Sequence, residues 1–137
     1  TGADVAKALA LGADATSIGT AALIALGDND PARDSDYHEL GTKAGCYDAW
    51  HEGKDPAGIT TQDPTLASRL DPVLGGNKIK NYLKVMTLEL QTLARACGKN
   101  DVRNLEPEDL CALTIEAAAM CQVPLAGTDW IPGQKTV

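Results

Sequence analysis

A chain of 137 residues with 12 Lys and Arg against 19 Asp and Glu has a net charge of −7. That balance argues against a nucleic-acid surface, which needs clustered basic side chains, and no apolar run approaches the roughly 20 residues of a membrane-spanning helix. The length suits one domain with a real core, and four scattered cysteines, Cys46, Cys97, Cys111 and Cys121, fit reduced thiols in a cytoplasmic protein better than a disulfide framework.

The chain opens on Thr1-Gly2-Ala3-Asp4, which has neither the basic start nor the long apolar core of a signal peptide. Ala3 to Leu11 reads as a helix with Asp4 in its first turn, where a negative charge suits the helix dipole. Gly12 ends it, Ala15 to Ile18 reads as a short strand, and Gly19-Thr20 opens a second apolar helix that stops at Gly27. The chain begins without Met and enters in the middle of a βα unit, so it reads as part of something larger. A single strand cannot make a sheet, and Ala15 to Ile18 needs partner strands from another segment or another chain.

The segment 28–76 reads as irregular, rich in Asp, Gly and Thr and interrupted by Pro31, Pro56, Pro64 and Pro72. A loop of about 40 residues in a compact protein is usually functional or wraps a partner. From Asn77 to Cys97 the residues Ile79, Leu83, Met86, Leu90, Leu93, Ala94 and Cys97 keep the helical period, with Gly98 where a terminating glycine belongs. Pro107-Glu108-Asp109 announces another helix, with Leu110, Leu113, Ala117, Met120 and Cys121 on its apolar face and Pro124 beyond its end. Trp130 is the expected anchor of the tail, and Cys97, Cys111 and Cys121 are expected to be buried, inert thiols.

Strand, glycine turn and helix start together make an anion site, because the first amides of a helix lack internal partners and sit at the positive end of its dipole. Gly19 lets a phosphate approach the backbone, and the Thr20 hydroxyl supplies one more donor. The same residues also serve an ordinary βα junction, and a lone Gly-Thr is a weak signal. Elsewhere, the run from Gly53 to Pro64 fixes an unusual backbone that packing alone also explains. His38 and His51 read as loop histidines, and neither a metal-ligand spacing nor a nucleophile triad is visible.

Four stretches carry a resemblance: Gly2 to Asp14, Gly19 to Gly27, Pro56-Ala57-Gly58-Ile59-Thr60-Thr61-Gln62-Asp63-Pro64, and Asn81 to Gly98. Together they resemble the C-terminal part of the FMN-binding synthase domain of the glutamate synthase family. The resemblance implies an α/β fold, the C-terminal part of a (β/α)8 TIM barrel followed by a mainly helical extension. In it, residues 1–27 form the last βα units, 28–76 replace the segment that normally holds an iron-sulfur cluster, and 77–137 form the extension. It makes Gly2, Gly19 and Thr20 FMN-binding residues, Gly19 and Thr20 at the phosphate and Gly2 at the turn after the preceding strand, with no catalytic residue carried over. It also implies partners: the remainder of the barrel, and glutaminase-type or other synthase subunits in a hetero- or homo-oligomer.

The departures from the family pattern are informative. Its members carry three cysteines just before the Pro-x-Gly-Ile segment that hold a [3Fe-4S] cluster, whereas here the third position is Asp55, the second falls at or near Trp50, and Cys46 is offset from the first. One thiolate cannot hold such a cluster. The resemblance therefore points to an FMN-dependent enzyme forming glutamate or an N-substituted glutamate, of the N-methylglutamate synthase type, which needs no external electrons. The alternatives are a structural or assembly subunit and a fragment of a longer synthase.

Overall fold

The computed structural model describes residues 1–47 and 49–134. Six α-helices follow one another: α1 (Gly2–Ala10), α2 (Thr20–Leu26), α3 (Asp34–Glu39), α4 (Pro64–Ala67), α5 (Pro72–Ala96) and α6 (Ile115–Cys121), with short 3-10 turns at Pro31–Arg33, Trp50–Glu52, Val102–Asn104 and Pro107–Asp109. The described chain is thus mostly helical, and no strand occurs among the described residues. Ala15–Ile18, read from the sequence as a strand, has no regular secondary structure, because no partner segment among the described residues exchanges ladder hydrogen bonds with it. An isolated parallel bridge joins Ala112 to Leu125.

The chain divides into two units, one made of Thr1–Thr16 with the residues from Val85 onward, the other of Ser17–Lys84. The first is built on apolar packing. Thr1 caps α1 in a reciprocal box, its hydroxyl accepting from Asp4 N–H while the Asp4 carboxylate takes the terminal ammonium at 3.1 Å. The Thr1 hydroxyl also donates to the Asp4 carboxylate at 2.7 Å, and this is the first cause that holds that carboxyl down at about 2. With the helix end fixed, Ala10 packs with Leu90, Ala94 and Leu105, flanked by Val5, Ala6, Leu9, Val102 and Leu110. A smaller cluster of Ala112, Ala118 and Val123 forms around α6.

Helix α5 begins earlier than its apolar period suggests. Asp71 precedes Pro72 and accepts Val73 N–H and Leu74 N–H at 2.9 and 3.1 Å, so the helix starts at the Asp-Pro pair and runs through Gly75 and Gly76. It ends as predicted at Gly98, whose φ of +74° lets Lys99 N–H reach the Ala94 carbonyl and Gly98 N–H reach that of Arg95. The helix expected from Pro107 is interrupted: Pro107–Asp109 makes one 3-10 turn, and Thr114 caps a separate α6 by accepting Ala117 N–H at 3.1 Å. Consequently Leu113 and Met120, expected to face inward, are 86 % and 85 % exposed. The four cysteines are exposed too, so the expectation of buried thiols at Cys97, Cys111 and Cys121 is overturned. Cys111 lies before the restarted α6 and Cys121 at its end, and Cys97 falls in the turn just past the end of α5.

Leu90 and Leu105 are the largest buried side chains of the apolar cluster in the first unit. Leu90→Ala is expected to cost about 2–5 kcal/mol in urea denaturation through lost burial and the cavity left behind. A change below about 1 kcal/mol would show that the cluster is not the core of this unit.

Candidate functional site

Among the described residues, the second unit has no apolar cluster comparable with that around Leu90. Among its described residues the buried side chains are Asp28, Tyr37, Tyr47, Asp55, Pro56, Ala57 and Thr61. Asp28, Tyr37 and Asp55 are 2 %, 0 % and 0 % exposed. Buried polar groups are tolerable only when hydrogen-bonded, and here they are bonded to one another and to the backbone.

Asp55 organises its own loop. Its carboxylate accepts Ala57 N–H at 2.9 Å, Ile59 N–H at 2.8 Å and Thr60 N–H at 3.1 Å, which folds Pro56-Ala57-Gly58 around it. Gly58 sits at φ +79°, and a Cβ there would strike the Leu66 carbonyl. Thr61 secures the far side, donating to Gly53 C=O at 2.5 Å and accepting Asp63 N–H at 3.0 Å. Arg69 holds the Pro56 carbonyl at 3.2 Å while pairing with Asp36 at 3.1 Å.

Asp28 closes the other end. Its Oδ2 accepts the Trp50 indole N–H at 2.6 Å and the Asn29 amide at 3.3 Å. Asn29, at φ +58°, also spans the loop: its side-chain oxygen accepts Gly45 N–H and Tyr47 N–H, and its nitrogen donates to Tyr47 C=O at 2.8 Å. Tyr37, from α3, lies between the two acids with its hydroxyl 3.4 Å from Asp28 and 3.5 Å from Asp55, and its ring tilts against Tyr47 at 5.5 Å. Burial pushes the Asp28 carboxyl above the ordinary 3.8, with the Asp55 charge adding and the Trp50 hydrogen bond opposing. Burial likewise raises both tyrosine hydroxyls.

The residues expected at a phosphate fall into two situations. At the start of α2, Gly19 (φ +45°) has open space where a Cβ would stand, and no side chain caps the helix. Ala21 N–H and Ala22 N–H bond back to Ile18 and Gly19, while Gly19 N–H, Thr20 N–H and the Thr20 hydroxyl have no acceptor among the described residues. Two free amides and a hydroxyl on one exposed turn fit a phosphate group. Gly2 is buried, its N–H donates to Glu89 Oε2 at 2.6 Å, and a Cβ would lie 2.5 Å from the Met86 carbonyl. Its amide is committed to a carboxylate, so it offers no free donor.

An iron-sulfur cluster does not fit the residues present. Asp55 is saturated by backbone amides, Trp50 donates to Asp28, Cys46 is exposed, and no group of three or more metal-ligating side chains occurs among the described residues. His38 lies 3.7 Å from Asp34 on the surface, an exposed pair of no catalytic form.

Sequence reasoning missed the Asp28–Tyr37–Asp55 network. Its one legible signal is the Asp55-Pro56 pair, since an Asp before Pro is placed to cap the turn that follows.

With this geometry in hand, comparison with known proteins places the chain. Residues 1–33 and 37–100 match the conserved region in glutamate synthase, and the chain belongs to that family. It is 75 % identical over 135 residues to a glutamate synthase large subunit-like protein of Rhizobium meliloti, covering 98 % of this chain and 30 % of that protein. It is 42 % identical over 106 residues to an archaeal glutamate synthase (NADPH) of Methanocaldococcus jannaschii, and 42 % over 103 residues to an archaeal-type glutamate synthase (NADPH) of Thermotoga maritima. These matches cover 75 % of this chain and 17 % of each relative. The chain therefore spans less than a third of the length of these curated relatives. No solved structure matches it. No helix among the described residues is long and apolar enough to cross a membrane.

Asp55 is the load-carrying acid of the second unit, so Asp55→Ala is expected to destabilise it by about 3 kcal/mol or more, leaving three buried amides without an acceptor. Thermal unfolding followed at Trp50 reads this out, and a loss below about 1 kcal/mol would mean the amides find other partners.

Proposed function

We propose that the chain is the phosphate-holding end of an FMN-binding (β/α)8 synthase domain together with its helical extension. The segment Ala15–Ile18 would then be a barrel strand whose partners come from the rest of the domain. Membership of the glutamate synthase family supports this reading, and the observation that carries it is the unpartnered donor turn at Gly19-Thr20. In it, Gly19 N–H, Thr20 N–H and the Thr20 hydroxyl bind and orient the FMN phosphate, and the positive end of α2 adds to that attraction. Bound FMN supplies redox chemistry at the substrate α-carbon.

The activity we assign is formation of glutamate or an N-substituted glutamate, of the N-methylglutamate synthase type, in the cytoplasm, with the reacting residues outside this chain. The 53–64 loop favours the variant that needs no external electrons, because it closes on the Asp55 carboxylate where related domains hold a cluster. Its partners in this reading are the remainder of the barrel and further synthase subunits. A second reading, a non-catalytic assembly subunit, is favoured by the exposed apolar side chains Leu113, Ile115 and Met120. Retained flavin separates the two.

Native mass spectrometry of the assembly from its natural source is expected to show this sequence in a flavin-bearing complex. Thr20→Ala is expected to weaken FMN binding about tenfold, the effect of losing one hydrogen bond to a charged group. An assembly devoid of flavin, or unchanged FMN affinity in Thr20→Ala, would contradict the assignment.

A further inference from the structure

The hydroxyl of Tyr37 sits between two buried acids and already receives Asn29 N–H at 2.9 Å. A phenol carries one proton and can donate to only one of them. Were both acids ionised, the second would face an oxygen lone pair across a dry gap. Asp55, with three backbone amides on its two oxygens, is built to hold the negative charge. Asp28 Oδ2 takes Trp50 and the Asn29 side chain, its Oδ1 faces the Tyr37 hydroxyl at 3.4 Å, and the Asp55 carboxyl lies close enough to act on it directly.

We propose that Asp28 is a protonated acid in the folded protein, donating from Oδ1 to Tyr37 Oη, which donates in turn to the Asp55 carboxylate, so that the chain Asp28–Tyr37–Asp55 is a proton-dependent clasp on the 28–61 segment. The proton count then closes: the phenol oxygen accepts from Asn29 N–H and Asp28 O–H and donates once, leaving no unmatched lone pair between the acids.

The surroundings are consistent with a neutral Asp28. The ion pairs of this unit, Arg33–Asp36, Arg69–Asp36 and His38–Asp34, all use other acids. The titratable groups facing the clasp are Tyr37 from α3, Tyr47 and Glu52 from the following loop and 3-10 turn, and Asp55. Of these, the Asp55 charge opposes ionisation of Asp28, as burial does first, while the Trp50 hydrogen bond favours it. An acid whose folded value is raised supports the fold fully below the unfolded value, here the ordinary 3.8, and that support is lost as pH climbs through the folded value. The clasp therefore loosens on alkalisation, opposite to the behaviour of an acid held in an ion pair.

Trp50 reports on Asp28 directly through their 2.6 Å hydrogen bond, and the chain holds only two Trp, so Trp130→Phe assigns the indole N–H resonances. In the full chain the Trp50 indole resonance is expected to titrate with a midpoint above 3.8. Asp28→Asn should abolish the titration, and Tyr37→Phe should lower its midpoint by removing the acceptor of the Asp28 proton. A midpoint at or below 3.8, a titration that survives in Asp28→Asn, or a midpoint raised by Tyr37→Phe would each overturn the proposal. Where Asp28→Asn does not fold, the wild-type midpoint decides.

Discussion

A single buried carboxylate, Asp55, is the constraint on which the middle of this protein depends. Among its described residues the unit from Ser17 to Lys84 lacks an apolar cluster of the kind that holds α1 against α5, and a segment so rich in Gly, Pro and Asp pays heavily in chain entropy to adopt one shape. Three backbone N–H groups on Asp55 offset part of that cost, and they do so in a dry site where each bond to an ionised group is strong. Tyr37 and Asp28 then carry the constraint from the 53–61 loop to the residues directly after α2. Two kinds of cohesion thus coexist in one chain, apolar burial around Leu90 and a closed polar network around Asp55.

This arrangement bears on function through what it makes unnecessary. A loop held by its own carboxylate needs no inorganic centre to fix it, and its Trp50 and Asp55 side chains are already engaged. The same unit carries the free donors at the start of α2, a turn left uncapped where most helix starts in this chain are capped by an acid or a hydroxyl: Thr1 on α1, Asp63 on α4, Asp71 on α5 and Thr114 on α6. Caps and ligands compete for the same amides. The start of α2, which like that of α3 has no side-chain cap, leaves the Gly19 and Thr20 amides free among the described residues, which is what the proposed phosphate site requires, whereas the Gly2 amide is spent on Glu89.

Much of the helical framework was legible in the sequence because periodicity and termini agreed. Gly98 marked the end of α5, Gly27 that of α2, and Thr1 with Asp4 marked the start of α1. What escaped was encoded in Asp-Pro pairs read as interruptions. Asp30-Pro31, Asp63-Pro64 and Asp71-Pro72 each open a helical turn through the Asp side chain, and Asp55-Pro56 opens the buried loop. Local sequence fixes such a turn but not its burial, so nothing in Asp55-Pro56 distinguishes a surface cap from the centre of a network. The strand at Ala15–Ile18 failed for a different reason: a strand is defined by its neighbours, and the described residues hold none. The Leu113 and Met120 pattern misled because Thr114 restarts the helix and breaks the phase of the apolar face.

The central claim, that the Asp55 carboxylate holds the 57–60 amides without an inorganic centre, is tested most directly by hydrogen exchange at the Ala57, Ile59 and Thr60 amides of the full chain in the presence of a strong chelator. The account predicts that all three are protected without iron or sulfide, and that Asp55→Asn selectively removes their protection. Amides that exchange freely until iron and sulfide are added would contradict it, and would return the loop to the role of a cluster-binding segment.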